Sequence, residues 1–233
     1  MLIIQRLHIF KFLISILFVV SANNIFAQEP NQKDSIKEKV PLFKDFRVDV
    51  DISPIFTTLL SGGETYSLEG ALQTTLLNKY YPIVEAGLAG ANKTSLEDIN
   101  FVTNGFFLRA GTDFNVLKQK NMNKKFTNYF FVGARIGFST FGYSINNIIL
   151  TDDYWNETKT YNFDNQISAK VWMEIVASIR VEIVKNIYLG WSIRNKNLLN
   201  PDSEGKISPW YIPGFGKNDT SAWGVNYVLG YKF

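Results

Sequence analysis

The sequence predicts an all-β protein, an eight-stranded antiparallel up-and-down barrel that crosses a membrane, and three observations carry that expectation. Eight runs after Phe46 alternate apolar and polar residues with period two, and one of them continues unbroken over residues 166–183. The chain of 233 residues is 46% hydrophobic and 15% aromatic with a mean hydropathy of −0.04. Past residue 22 no apolar run approaches the roughly 20 residues of a spanning helix. The first 27 residues have the layout of an export signal. Apolar content this high, with a net charge of only +3, excludes a disordered chain. The absence of cysteine excludes disulfides, thiolate chemistry, Cys-ligated zinc and a lipidated lipoprotein cysteine.

Residues 1–27 read as a cleaved signal peptide. Arg6 and Lys11 supply positive charge, Phe12 to Val20 form a nine-residue apolar stretch, and Ser21, Asn23 and Asn24 end it too soon for a membrane anchor. Ala27 is the natural cleavage residue, although Ile25 is larger than usual two positions before it. Removing Arg6 and Lys11 from 24 basic residues leaves 22 against 21 acidic ones, a net charge of +1. That balance excludes nucleic acid as a partner, because phosphate binding needs a basic excess. The only histidine, His8, leaves with the signal. Residues 28–44, QEPNQKDSIKEKVPLFK, are polar, hold two prolines and lack an apolar period, so they are expected to form a flexible periplasmic segment ahead of a barrel over residues 45–233.

The first run sets Phe46, Val48, Val50 and Ile52 against Arg47, Asp49, Asp51 and Ser53. The second sets Tyr66, Leu68, Leu72 and Leu76 against Ser67, Glu69 and Gln73, and the third, weaker, has Val84, Ala86 and Leu88 opposite Glu85 and Gly87. The fourth opposes Phe106, Leu108, Ala110 and Phe114 to Arg109, Gly111, Asp113 and Asn115; the fifth opposes Phe130, Val132, Ala134, Ile136 and Phe138 to Gly133, Arg135, Gly137 and Ser139. In the sixth, every odd position from Ile167 to Ile183 is apolar, while Gln166, Ser168, Lys170, Glu174, Ser178, Arg180 and Glu182 are among the even ones. Such a strand exceeds the 5–6 residues usual in globular proteins and the roughly 9–11 that cross a bilayer on a tilt. A tight turn at Lys185-Asn186 leads to the seventh run, Ile187, Leu189, Trp191 and Ile193 against Gly190, Ser192 and Arg194. The eighth closes the chain with Trp223, Val225, Tyr227, Leu229, Tyr231 and Phe233 against Gly224, Asn226, Gly230 and Lys232.

Alternation alone also suits a soluble ligand-binding barrel of the lipocalin kind with its apolar face inward. Lipid outside is favoured by the export signal, the strand length and the connections. Turns near Asn78-Lys79, in KQKNMNKK and at Lys185-Asn186 share one end, whereas residues 91–104, 144–164 and 198–221 are expected as long loops at the other. The final residues Val228-Leu229-Gly230-Tyr231-Lys232-Phe233, with Tyr227, Leu229, Tyr231 and Phe233 in alternation, resemble the C-terminal assembly signal of bacterial outer-membrane barrels. Over residues 46–233 the layout is similar to that of the small eight-stranded outer-membrane proteins. The FAQ cleavage region and the Asn, Lys and aromatic richness resemble Bacteroidota proteins, and Asp34-Ser35-Ile36 resembles their O-glycosylation signal, with an ordinary solvated linker as the competing reading. The resemblance implies residence in the outer membrane of a Gram-negative bacterium, with lipid and the barrel-assembly machinery as partners. It carries over no functional residue.

With lipid outside, the interior receives Arg47, Asp49, Asp51, Glu69, Glu85, Arg109, Asp113, Arg135, Lys170, Glu174, Arg180, Glu182, Arg194 and Lys232, seven acids and seven bases. An eight-stranded barrel is just wide enough for side chains, and an unpaired buried charge is costly, so a paired plug is expected. A narrow channel for ions or small solutes is the second reading, with Gly87, Gly111, Gly133, Gly137, Gly190 and Gly230 as a watery seam; crowding relief is the plainer role of those glycines.

Loss of His8 excludes Ser-His catalysis and His-ligated metals. Asp152, Asp153 and Glu157, beside Tyr154 and Trp155, could form a carboxylate pair or a weak calcium site, but an acidic loop is ordinarily just solvated. Gly62-Gly63 reads as a hairpin turn without a phosphate-loop pattern. In the last loop Trp210, Tyr211, Ile212 and Phe215 lie among Pro209, Pro213 and Gly216 where alternation does not account for them. They are expected either to pack over the barrel mouth or to form an exposed contact surface. The function expected is non-enzymatic, envelope-structural or surface-interacting through long extracellular loops, in a monomer with no cofactor and no bound metal.

Overall fold

The computed structural model describes residues 41–117, 127–152, 157–202 and 207–233. The export signal, residues 28–40, the KQKNMNKK turn, Asp153, Tyr154 and Trp155 lie outside the described residues. Eight long strands close a barrel: β1 (Phe43–Asp51), β2 (Thr65–Leu76), β3 (Tyr80–Thr94), β4 (Asn100–Asn115), β5 (Asn128–Asp152), β6 (Glu157–Val184), β7 (Ile187–Leu198) and, after a two-residue hairpin of β8 (Tyr211–Ile212) and β9 (Gly216–Lys217), the closing strand β10 (Ser221–Lys232). Each barrel strand pairs antiparallel with its sequence neighbour, and β10 returns to β1 with Val48 opposite Tyr231 and Val50 opposite Leu229. β1 is thereby bonded on both sides, which closes the ring.

The period-two rows become two surfaces. Val48, Leu68, Val84, Phe106, Ile136, Ile175, Trp191 and Val225 are exposed on the outside, while Arg47, Glu69, Glu85, Arg109, Arg135, Glu174, Arg180 and Arg194 are buried inside. The start of β1 and the end of β10 share one end with the turns at Leu77–Lys79 and Lys185-Asn186. Asn78 (φ 54°) and Asn186 (φ 68°) take the left-handed conformation that tight hairpins demand and that Asn tolerates best after glycine.

At the far end the structure departs from the sequence reading. The expected loop 91–104 is a turn of residues 95–99, because β3 and β4 stay paired out to Thr94 opposite Asn100. Most of 144–164 is likewise strand, with Asp152 opposite Glu157 across register shifts at Tyr143, Ile145 and Ile148. The β5–β6 hairpin runs on past Asn146 to where both its faces are largely solvent-exposed. At the β3–β4 end the inward positions Ala91, Phe101 and Thr103 are buried while outward ones such as Asn92 and Asn104 are polar, so in neither place does an apolar-out, polar-in row mark the strand. The first connection is also different: residues Ser53–Leu60 form a helix, α1. Gly62-Gly63 are its terminator and no hairpin turn, with Gly62 N–H donating to Leu59 O and Gly63 N–H to Thr58 O at positive φ.

Candidate functional site

The interior is layered along the barrel axis. At the terminal end Tyr81, Tyr129, Phe131 and Tyr188 form an aromatic floor, with Tyr129 stacked on Phe131 at 5.1 Å. Lys232 closes it by pairing with Asp45 at 2.7 Å. Next, Arg47 Nε donates to Asp49 Oδ1 at 2.7 Å, and Arg180 approaches the same carboxylate at 3.6 Å.

The middle of the barrel is a knot of three glutamates and three arginines from six strands. Glu85 receives both terminal nitrogens of Arg194 at 2.6 and 3.2 Å, lies 3.0 Å from Arg135 Nε and 3.3 Å from Arg109 Nε. Glu174 contacts Arg109 at 3.4 Å and Arg194 at 3.3 Å, and Glu69 pairs with Arg109 and, at 3.5 Å, with Arg194. Arg135 reaches on to Asp113 at 3.2 Å, which also accepts from Gln73 Nε2 at 2.8 Å. All six members of the knot are buried. Among the described residues Arg135 Nη1 and Asp113 Oδ1 have no hydrogen-bond partner, so attraction between whole charges holds the knot more than saturated hydrogen bonding does. Cavities beside it, lined by Asp49, Glu69, Glu85, Arg180 and Arg194, and below it, lined by Arg47, Gln73, Tyr81 and Tyr129, measure about 10 Å³ each. That is about room for one water molecule.

Two of the fourteen charged residues placed inside by the sequence, Glu182 and Lys232, lie half-buried at the terminal rim instead, while Lys170 is buried near the far mouth. Glu182 accepts from the backbone N–H groups of Thr127 and Asn186, Lys232 pairs with Asp45 as above, and Lys170 reaches out of the mouth to Asp202 at 2.6 Å. Among the described residues Asp51 joins no cation; it accepts from Ser53 and Asn226.

The last connection caps the far mouth. Ile212 and Phe215 are buried with Phe101, Phe107, Phe141, Tyr143 and Trp172, so they are filling and not an outer contact surface; Trp210 and Tyr211 are half-buried at the edge. Phe215 meets the Trp172 indole edge-on at 5.8 Å. Gly214 (φ 78°) lies so close to the Phe107 ring that a Cβ there would collide with it. Polar bonds fasten the cap: Lys196 Nζ donates to Gly214 O at 2.8 Å and Phe215 O at 3.0 Å, Tyr143 hydroxyl to Ile207 O at 2.9 Å, and Asn218 Nδ2 to Pro209 O at 2.8 Å. Burial by itself raises the Asp202 carboxyl, but hydrogen bonds from Lys170, Asn218 and Ser208 take it below the ordinary carboxylate range. Lys196, Trp172 and Phe107 were not singled out in the sequence, although aromatic residues at inward positions of the polar rows are a readable sign that the lumen is filled. Glu157 pairs at the surface with Lys159 at 3.5 Å.

A family model described as a domain of unknown function, DUF6048, matches residues 9–233. The chain belongs to this family. No curated protein matches it. Among solved structures, the DUF6048 chain is similar to Neisserial surface protein A, at 14% identity and a TM-score of 0.42 over 84% of this chain and 100% of that one. It is also similar to Ail, the attachment invasion locus protein of Yersinia pestis, at 11% identity and a TM-score of 0.36 over 81% and 94% of the two chains. The fold assignment for this DUF6048 member rests on its own closed strand pairing.

Proposed function

We propose that this protein is exported with cleavage of residues 1–27, spans the outer membrane as a closed barrel, and acts without enzymatic chemistry as an envelope-structural or surface-interaction protein through its far-end hairpins and cap. One observation carries the reading: the molecule is inverted relative to a water-soluble barrel, with Leu68, Ile136, Trp191, Trp223 and Val225 turned outward at 50–71% exposure around a lumen of buried arginines and glutamates. Water outside would leave that belt unsatisfied, while lipid outside satisfies it. The terminal end then faces the periplasm and the far end the exterior. Fractionation followed by electrophoresis with and without boiling tests the reading; a closed membrane barrel migrates faster unboiled, and recovery as soluble periplasmic protein refutes it.

The knot of charges and the cap favour a plug over the channel reading. Purified protein in planar bilayers is expected to give no steady conductance above that of lipid alone. Reproducible single-channel steps that vanish on substituting Arg135 or Glu174 put the channel first.

The chain end supports recognition by the barrel-assembly machinery. Phe233 stacks on Phe46 at 4.6 Å where β10 meets β1 and is mostly exposed, so deleting it removes little interior packing. Refolding in detergent is expected near the wild-type yield, while the outer-membrane level in cells falls sharply. Unchanged cellular levels would show that the end is not an assembly signal.

A further inference from the structure

The barrel wall is interrupted above β1. That strand pairs with β10 only as far as Asp51 opposite Val228 and with β2 only as far as Val50 opposite Gly70. Its neighbours continue: Trp223 and Val225 on β10 and Leu68 on β2 face outward beyond the last β1 partner. Helix α1 follows directly on β1 at this point and touches both β2 and β10.

The helix is anchored and apolar. Asp51, itself bonded to Asn226, accepts from Ser53 N at 2.9 Å at the start of α1, and Gly62-Gly63 terminate it. Pro54 is buried, whereas Ile55, Phe56, Leu59 and Leu60 share the opposite arc at 61%, 56%, 76% and 87% exposure. Spacing of three and four residues puts these four on one face. No charged residue occurs from Ile52 to Gly63. Large apolar side chains gathered on one face, beside outward rows of two strands that are apolar at the same height, continue the lipid-facing belt where β1 is missing.

We infer that α1 is an interfacial helix whose Ile55–Leu60 face lies in the acyl–headgroup boundary of the outer leaflet. The inference rests on the membrane-spanning reading. With no charge on the helix, the contact is driven by apolar burial and does not require anionic lipid.

The chain has no native cysteine, so Leu59→Cys, Ile136→Cys and Lys217→Cys each place one nitroxide label in the otherwise native protein, reconstituted in phosphatidylcholine vesicles. Collision with oxygen, which partitions into lipid, is compared with collision with a water-soluble nickel chelate. The expected result is an oxygen-to-nickel ratio at Leu59→Cys several-fold above that at Lys217→Cys and below that at Ile136→Cys. A water-like ratio at Leu59→Cys beside a lipid-like ratio at Ile136→Cys overturns the inference and leaves the barrel reading standing. A label at Leu59→Cys shielded from both reagents also overturns it, since a protein surface then covers the helix. A water-like ratio at Ile136→Cys overturns the membrane reading and this inference with it.

Discussion

Replacing Glu85 by alanine is expected to lower the unfolding free energy by about 3–5 kcal/mol, the range for removing one partner from a buried ion pair. Glu85 faces Arg109, Arg135 and Arg194 within 3.3 Å, and without it these guanidiniums crowd one another with only Glu69, Glu174 and Asp113 left to share. The loss is therefore a penalty for the charges that stay behind more than the worth of the contact. A double-mutant cycle separates the two. If Arg194→Met is added to Glu85→Met, the loss is expected to be well below the sum of the single losses, because the bidentate pair is then removed as a unit. Urea unfolding of the refolded barrel reads the effect. A loss below about 1 kcal/mol, the level of an exposed pair, would mean that solvent reaches the knot and the lumen is not a dry plug.

Ile175→Arg is expected to cost about 2–4 kcal/mol in lipid vesicles, as for an arginine placed near the bilayer midplane on the outer face of a barrel. Ile175 is exposed, lies between Ala134 of β5 and Asn195 of β7 in register, and sits at the centre of the outward row from Ile167 to Ile183. Leucine at this position is expected to be tolerated. The substitution distinguishes the two environments cleanly, since an exposed isoleucine in water can become arginine with little change. Equal assembly of Ile175→Arg and wild type in vesicles would turn the outward belt toward water and restore the soluble barrel.

Much of this architecture is legible in the sequence because the carrying signal is local. Period two needs only adjacent residues, so the rows from Phe46 to Ile52 and from Ile167 to Ile183 identify strands and divide each into two faces without knowledge of any partner. The period fades where the chemistry of the two faces no longer differs in the lipid-out, polar-in sense. Around Asn92 the buried positions Ala91 and Phe101 are apolar and the exposed Asn92 is polar, the reverse of the rows below, and beyond Asn146 both faces are mostly exposed, so the pairing there reads as loop. In Ser53–Leu60, an eight-residue helix is too short to establish a period against the flanking strands.

What the sequence by itself determined is thus the eight strands, the closure of an all-β chain and the sorting of charge to one side and apolar bulk to the other. Only the tertiary structure decided which acid meets which base, that Glu182 and Lys232 belong to the rim, and that Ile212 and Phe215 enter the mouth. Arg194 and Glu85 are 109 positions apart, and Arg109 and Glu174 are 65 apart. Their meeting depends on the register of every intervening strand pair, and a slip of one residue in any pair reverses a whole face. The cap has the same dependence, because its aromatic residues have no periodic partner within their own segment and acquire one only when the closed barrel brings Phe107 and Trp172 beneath them.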